Sequence, residues 1–177
     1  MQLSKNAIRQ IGAKQGLDIP DEKIFELPEK VLQFGTGVLL RALPDYFIDK
    51  ANKQGLFNGR IVVVKSTDSD SSAFDRQDGL YTVCVRGVEN GKTVEENIIN
   101  ASVSRVLSAK TEWKRILECA HNPEIKIVFG NVHVSSLGAP VLEEFLEIDY
   151  LVIGEGEGAL LNLADGKPLQ VFAAASL

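Results

Sequence analysis

Apolar positions change their spacing several times along the chain, and each change marks an element. Residues 1–30 are mostly polar, with a weak helical spacing at Ile8 and Ile11 and with Pro20 and Pro28 interrupting any longer helix. They read as a loosely attached leader. Val31-Leu32-Gln33-Phe34 ends at Gly35, and Leu39, Leu40, Leu43, Phe47 and Ile48 follow at spacings of three and four. The period shifts there from strand to helix, which predicts a strand, a glycine turn and a helix ending near Gln54-Gly55. Pro44 falls inside the helical stretch, so the helix is expected to kink or to start late. Arg60 to Lys65 (RIVVVK) is a β-branched run suited to a strand buried on both faces. Ser66 to Asp78 is a Ser- and Asp-rich loop. Leu80 to Arg86 and Thr93 to Leu107 are strand-rich and flank Glu89-Asn90-Gly91, a sequence that closes hairpins.

The second half alternates again. Thr111 to His121 is expected to be a helix capped by Thr111, with Trp113, Ile116, Leu117 and Ala120 on one face and Pro123 beyond its end. Glu124 to Gly130 predicts a strand, Ala139 to Leu146 a helix, Asp149 to Gly154 a strand, Glu157 to Ala164 a helix and Leu169 to Phe172 a last strand. Strands joined by crossover helices imply an α/β fold with a doubly wound, mostly parallel sheet in three layers, Rossmann- or flavodoxin-like, carrying an inserted β-hairpin. One α/β domain is expected over 31–172, with residues 173–177 (AAASL) as an added or fraying tail.

Composition narrows the class. The 177 residues are 45% hydrophobic and 24% charged, ordinary for one globular domain. No apolar run approaches the roughly 20 residues of a membrane span, and residues 1–15 lack the apolar stretch of a signal peptide. A net charge of −5 without a basic stripe argues against nucleic acid. Cys84 and Cys119 lie far apart in apolar patterns and read as buried free thiols, which fits a cytoplasmic, reducing setting. Two histidines and no cysteine pair leave no structural zinc site. A monomer or weak homodimer is expected.

The sharpest chemical signal is Phe34-Gly35-Thr36-Gly37-Val38-Leu39-Leu40-Arg41. A glycine pair between a strand and a helix allows a tight turn at Gly35 and close approach of a pyrophosphate at Gly37. The third glycine of the dinucleotide fingerprint is replaced by Leu40, and the plainer reading is a structural turn. Asp68 is the acid nearest the end of the second strand, where a ribose would be bound, although it comes late and follows Lys65. Asn131 and His133 follow a strand's C-terminal end, the side on which open α/β sheets take ligands. His121, at a helix end, more simply complements the helix dipole. Gly154 to Gly158 could cradle a ligand backbone, but Glu155 and Glu157 argue against a bare phosphate. No Ser/His/Asp arrangement, paired buried carboxylates or phosphate-loop lysine is visible, so no catalytic residue and no metal ligand is assigned.

From about Val31 to Val128 the segments VLQFGTGVLLRALPDYFIDKANKQGLFNGRIVVVK, QDGLYTVCVRG, SVSRVLSAKTEW and AHNPEIKIV resemble the N-terminal part of the mannitol dehydrogenase family of polyol and sugar-acid dehydrogenases, in particular its tagaturonate reductase (altronate oxidoreductase) branch. The resemblance implies that the Gly35-Thr36-Gly37 turn, with Arg41, binds NAD. It also implies a catalytic domain beyond this segment. From about Gly130 to Asp165 the segment GNVHVSSLGAPVLEEFLEIDYLVIGEGEGALLNLADG instead resembles the flavodoxin-like, cobalamin-binding domain of radical SAM enzymes, without the Asp-x-His-x-x-Gly motif that ligates cobalt.

Two resemblances within one chain lead to the expectation of an engineered chimera, a dehydrogenase-like part (31–128) joined to a flavodoxin-like part (129–172). It would be a nucleotide-binding-type domain without complete catalytic machinery, binding NAD weakly at most. The alternatives are an NAD-dependent sugar-acid oxidoreductase or a fragment of one, and a cobalamin- or flavin-binding module.

Overall fold

The computed structural model describes residues 2–12, 15–67, 72–125, 128–129, 140–144, 149–153 and 171–173. The chain divides into two compact units, 1–117 and 118–177. Among the described residues each unit pairs its strands only within itself. The α/β class with parallel strands and an inserted hairpin is the one the sequence predicts.

The first unit contains helix α1 (Lys5–Ile11), the two-residue strand β1 (Leu17–Asp18), a 3-10 turn (Glu22–Glu26), strand β2 (Glu29–Phe34), helices α2 (Val38–Ala42) and α3 (Pro44–Lys53), strand β3 (Arg60–Lys65), the short helix α4 (Ser72–Arg76), and strands β4 (Tyr81–Glu89), β5 (Lys92–Asn100) and β6 (Val103–Ser108). Strands β2, β3 and β6 form a parallel sheet with β3 in the middle. All six residues of β3 are buried, as the β-branched run requires. Arg60 is accommodated because its guanidinium donates to the Ala101 and Val103 carbonyls at 3.2 and 2.5 Å. Glu29 at the start of β2 takes a two-pronged pair from Arg105 on β6, at 2.9 and 2.8 Å.

The predicted helix after the glycine turn is two helices. The chain breaks at Leu43 (φ −120°, ψ −82°), and Pro44 opens α3 at a first-turn position where no amide is needed. Gly55 ends the segment in the left-handed region (φ 70°). The Asn-Gly hairpin forms as expected, with Asn90 (φ 50°) and Gly91 (φ 75°) as the two loop residues between Glu89 and Lys92.

Three expectations are corrected. The first thirty residues are not a loose leader. Ile8 and Ile24 lie in a core cluster with Leu80, Ile99 and Ala101, and Leu3, Leu17, Ile19, Phe25 and Leu27 pack against it. These residues fill the face of the hairpin base, while β1 adds to β5 in parallel at Leu17–Asn97 and Asp18–Ile98. Cys84 is exposed because it points to the open face of β4, whereas Cys119 is buried. Helix α5 (Trp113–Ala120) starts two residues later than expected and buries Ile116 and Cys119, leaving Trp113 52% exposed.

The second unit is described for strands β7 (Val128–Phe129), β8 (Tyr150–Ile153) and β9 (Val171–Ala173), which pair in parallel in that order, and for helix α6 (Pro140–Glu144). Among the described residues no helix is long and apolar enough to cross a membrane.

Candidate nucleotide-binding turn

Between β2 and α2 the two glycines do different work. Gly35 has φ 119°, and a Cβ there would meet the Leu40 Cδ1 at 2.9 Å. Its amide donates to the Val64 carbonyl at 2.8 Å, while the Gln33 amide donates to its carbonyl at 3.3 Å. Gly35 is thus a residue the turn itself requires. Leu40, standing where the fingerprint has a third glycine, fills the space over it. Gly37 has φ −60° and ψ 154°, values open to any residue, and a Cβ there would meet nothing within 4 Å. That position leaves an open approach to the backbone at the start of α2, which suits the pyrophosphate of a dinucleotide. Thr36 between them is half-buried. Phe34, Val38 and Leu39 around the turn are 62%, 72% and 73% exposed.

Arg41, one helical turn beyond Gly37, donates its backbone amide to the Gly37 carbonyl at 3.3 Å. Its guanidinium lies over the rings of Phe74 (5.5 Å) and Tyr81 (5.8 Å). The Tyr81 hydroxyl is 3.1 Å from the Arg41 carbonyl and 3.3 Å from Asp45 Oδ2. Asp45 is fully buried. Burial pushes its carboxyl up to about 7, against the opposing influence of the Tyr81 hydroxyl, the Gln33 amide and the Arg41 guanidinium. The same burial, with the Asp45 charge, raises the Tyr81 phenol.

The inner face of α3 continues this polar seam. Asn100 donates to the Asp45 carbonyl at 3.0 Å and accepts from Ser102, and Asp49 accepts from the Ala101 amide at 2.8 Å. Asp49 also pairs with Lys53 at 2.8 Å, and Lys53 reaches Asp18 at 2.7 Å. A cleft of about 370 Å³ opens beside this seam, among Leu17, Asp18, Tyr46, Asp49, Lys50 and Asn97. It does not include the glycine turn, and two of its three acids, Asp18 and Asp49, are already bridged by Lys53, the third being Glu96.

The sequence-predicted residues Gly35, Thr36, Gly37 and Arg41 are therefore brought together. Asp68, Asn131 and His133 lie outside the described residues, as do the loop at 154–158 and the junction at 130. Lys65 is buried at the end of β3, where its carbonyl accepts from the Ala109 amide at 2.8 Å. Among the described residues no group of three or more His, Cys, Asp or Glu could hold a metal ion. Sequence reasoning missed Phe74, Tyr81 and Asp45 as neighbours of Arg41. Tyr81 had a signal, its place in QDGLYT, but that segment carried only the resemblance and no role.

No protein-family model matches the chain. Among curated proteins it is 42% identical over 124 residues to the altronate oxidoreductase of Halalkalibacterium halodurans, covering 69% of this chain and 24% of that protein. It is 37% identical over 120 residues to the altronate oxidoreductase of Cronobacter sakazakii, covering 67% and 25%. Among solved structures it is similar to the Pseudomonas fluorescens mannitol 2-dehydrogenase ternary complex with NAD and D-mannitol (TM-score 0.62, 21% identity, 73% of this chain and 26% of that one). A substrate-free D-sorbitol dehydrogenase matches with TM-score 0.60 at 16% identity, over 97% of this chain and 34% of that one. The chain spans about a quarter of the length of the curated relatives it matches. The fold is Rossmann-like, and the N-terminal region resembles the altronate oxidoreductases of the mannitol dehydrogenase family.

Proposed function

We propose that the first unit is the NAD-binding part of an NAD-dependent sugar-acid oxidoreductase of the tagaturonate/altronate type. The reading is carried by the open backbone at Gly37 within a strand-turn-helix that sits in a region 42% identical to an altronate oxidoreductase. A dinucleotide would lie over the Gly35–Gly37 turn with Arg41 beside it and its ribose toward Asp68. NAD, when bound, is the hydride carrier; the residues of this unit seat and orient it. Hydride transfer itself needs a general acid or base beside the substrate carbonyl, and neither Lys65 nor His133 is assigned that role.

The 42% identity to an altronate oxidoreductase over 69% of the chain supports an oxidoreductase part rather than a non-catalytic chimera joined near residues 125–135. Cobalamin or flavin binding by the C-terminal loops has no such support. A cytoplasmic location and a monomeric or weakly dimeric state belong to the same proposal.

The test is calorimetric or ligand-detected NMR titration of the 177-residue protein with NAD, NADH and hydroxocobalamin. Saturable binding of NAD is expected, weak if other pocket walls are needed; a dissociation constant of about 1 mM corresponds to about 4 kcal/mol. Gly37→Asp, which puts a carboxylate in the open approach without crowding the fold, should abolish it. Silence toward NAD and NADH, or saturation by hydroxocobalamin alone, would overturn the reading.

A further inference from the structure

Arg41 is held at both ends by residues from outside its own helix. The Tyr81 ring lies under its guanidinium at 5.8 Å while the Tyr81 hydroxyl meets its main-chain carbonyl at 3.1 Å, and Phe74 supplies a second ring at 5.5 Å. Forty residues of chain separate Tyr81 from Arg41, so this grip is a tertiary arrangement rather than a local one. Despite it, the guanidinium's hydrogen-bonding capacity is unspent: Nε is buried without a hydrogen-bond partner, and no carboxylate among the described residues lies within ion-pair distance of Arg41. The nearest acid along the helix face, Asp45, is engaged by Tyr81 at 3.3 Å instead. Burial raises its carboxyl to about 7, so it offers Arg41 less than a full counter-charge near neutrality.

A planar cation stacked on two rings with free donors is suited to a ligand anion. Direction follows from helix geometry. Residues four apart in a helix share a face, so Arg41 lies on the same side of α2 as Gly37, and its backbone amide donates to the Gly37 carbonyl. The open backbone at Gly37 is where a pyrophosphate would approach.

We propose that Tyr81 and Phe74 are positioning residues that hold the Arg41 guanidinium against the phosphates of the nucleotide on the Gly35–Gly37 turn. The base of the inserted hairpin and the short helix α4 thereby belong to the binding site. This rests on the NAD-binding reading above and adds to it the residues that set its phosphate contact.

The experiment measures NAD dissociation constants at low and high salt for the unaltered chain and for Tyr81→Phe, Tyr81→Leu and Phe74→Leu, with thermal melts of each. Loss of one charge-assisted contact weakens binding by about tenfold, and that loss is expected for Tyr81→Leu and Phe74→Leu, together with a flatter salt dependence. Tyr81→Phe keeps the ring and should fall between them and the unaltered chain. A purely structural role would lower the melting temperature without changing the salt dependence. Phe74 is only half-buried on a five-residue helix, so Phe74→Leu decides the matter if Tyr81→Leu fails to fold. Phe74→Leu binding NAD with unaltered affinity and salt dependence would overturn the positioning role alone. Absence of NAD binding in the unaltered chain would instead overturn the underlying reading.

Discussion

The turn after β2 and the corner before β4 both depend on glycine in the left-handed half of conformational space, yet their surroundings are opposite. At the corner, Asp78 (φ 53°) and Gly79 (φ 76°) lead into Leu80, which is buried in the core. A Cβ on Gly79 would sit 2.6 Å from the Val103 carbonyl oxygen. Every residue of Gln77-Asp78-Gly79-Leu80-Tyr81 has a partner: the Gln77 amide donates to the Leu80 carbonyl, Asp78 accepts from the Lys5 amide, and Tyr81 grips α2 and α3. At the turn, Gly37 meets nothing, and Phe34, Val38 and Leu39 stand in the open. A glycine motif is thus a statement about the fold where a methyl group would collide and a statement about ligand access where it would not.

Gly79→Ala should have the largest effect, because a forced left-handed conformation and a collision with main chain combine. A loss of about 3 kcal/mol or more is expected in urea unfolding, and a loss below about 1 kcal/mol would break the contrast.

The corner's hold on Asp45 gives the next effect. Its carboxyl is raised from 3.8 to about 7, so the folded state keeps the proton that the unfolded chain releases. The stability it contributes is complete below pH 3.8 and is lost as pH rises through about 7. Asp45→Asn should flatten the fall in unfolding free energy over that range, which the shift caps at about 4 kcal/mol. Asp49, raised in the same direction by burial, leaves a residual slope. Glu29 acts oppositely. Burial raises its carboxyl, but Arg105 and Ser104 outweigh this and leave it below 4.5, so its contribution is lost on acidification. An unchanged pH profile in Asp45→Asn would show that its carboxyl is not the group holding the proton.

Gly35→Ala should cost about 1–2 kcal/mol through its φ of 119°. The contact it creates is with the flexible end of Leu40, so Leu40→Ala should relieve part of the cost. Smallest of all is Gly37→Ala, within about 0.5 kcal/mol of the unaltered chain, because its backbone suits alanine and its surroundings are empty. A melt shift comparable to that of Gly79→Ala would erase the distinction between the two motifs.

Elements whose signal is local were legible in the sequence. The β2-turn-helix junction, the buried run of β3, the break at Pro44 and the Asn-Gly hairpin each depend on residues adjacent in the chain. Burial set by distant partners was not. The apolar spacing marked Leu39 and Phe47 as an inner face, but both are exposed while Asp45 and Asp49 are buried. Tyr81, the Ala101 amide and Lys53 hold those carboxylates inside, although Asp45 Oδ1 has no hydrogen-bond partner, and no periodicity encodes such contacts. Ile8 gave only a weak helical spacing for the same reason, since Leu80, Ile99 and Ala101 complete its cluster from seventy or more residues further on. Of the candidate site, Gly35, Thr36, Gly37 and Arg41 could be read from the junction and the resemblance. The aromatic support of Arg41 could not.

The docking of the first thirty residues has a consequence for how the chain assembles. The Lys5 amide waits for Asp78, 73 residues later, and the Gly16 carbonyl for Asn97, 81 residues later. At a synthesis rate of about 5–20 residues per second, those partners leave the ribosome several seconds after the segment that needs them. Neither the seven-residue α1 nor the two-residue β1 is long enough to persist alone. Residues 3–27 therefore find their place only once the hairpin has been made, and until it forms, Ile8, Ile19, Ile24 and Phe25 lack the partners that cover them.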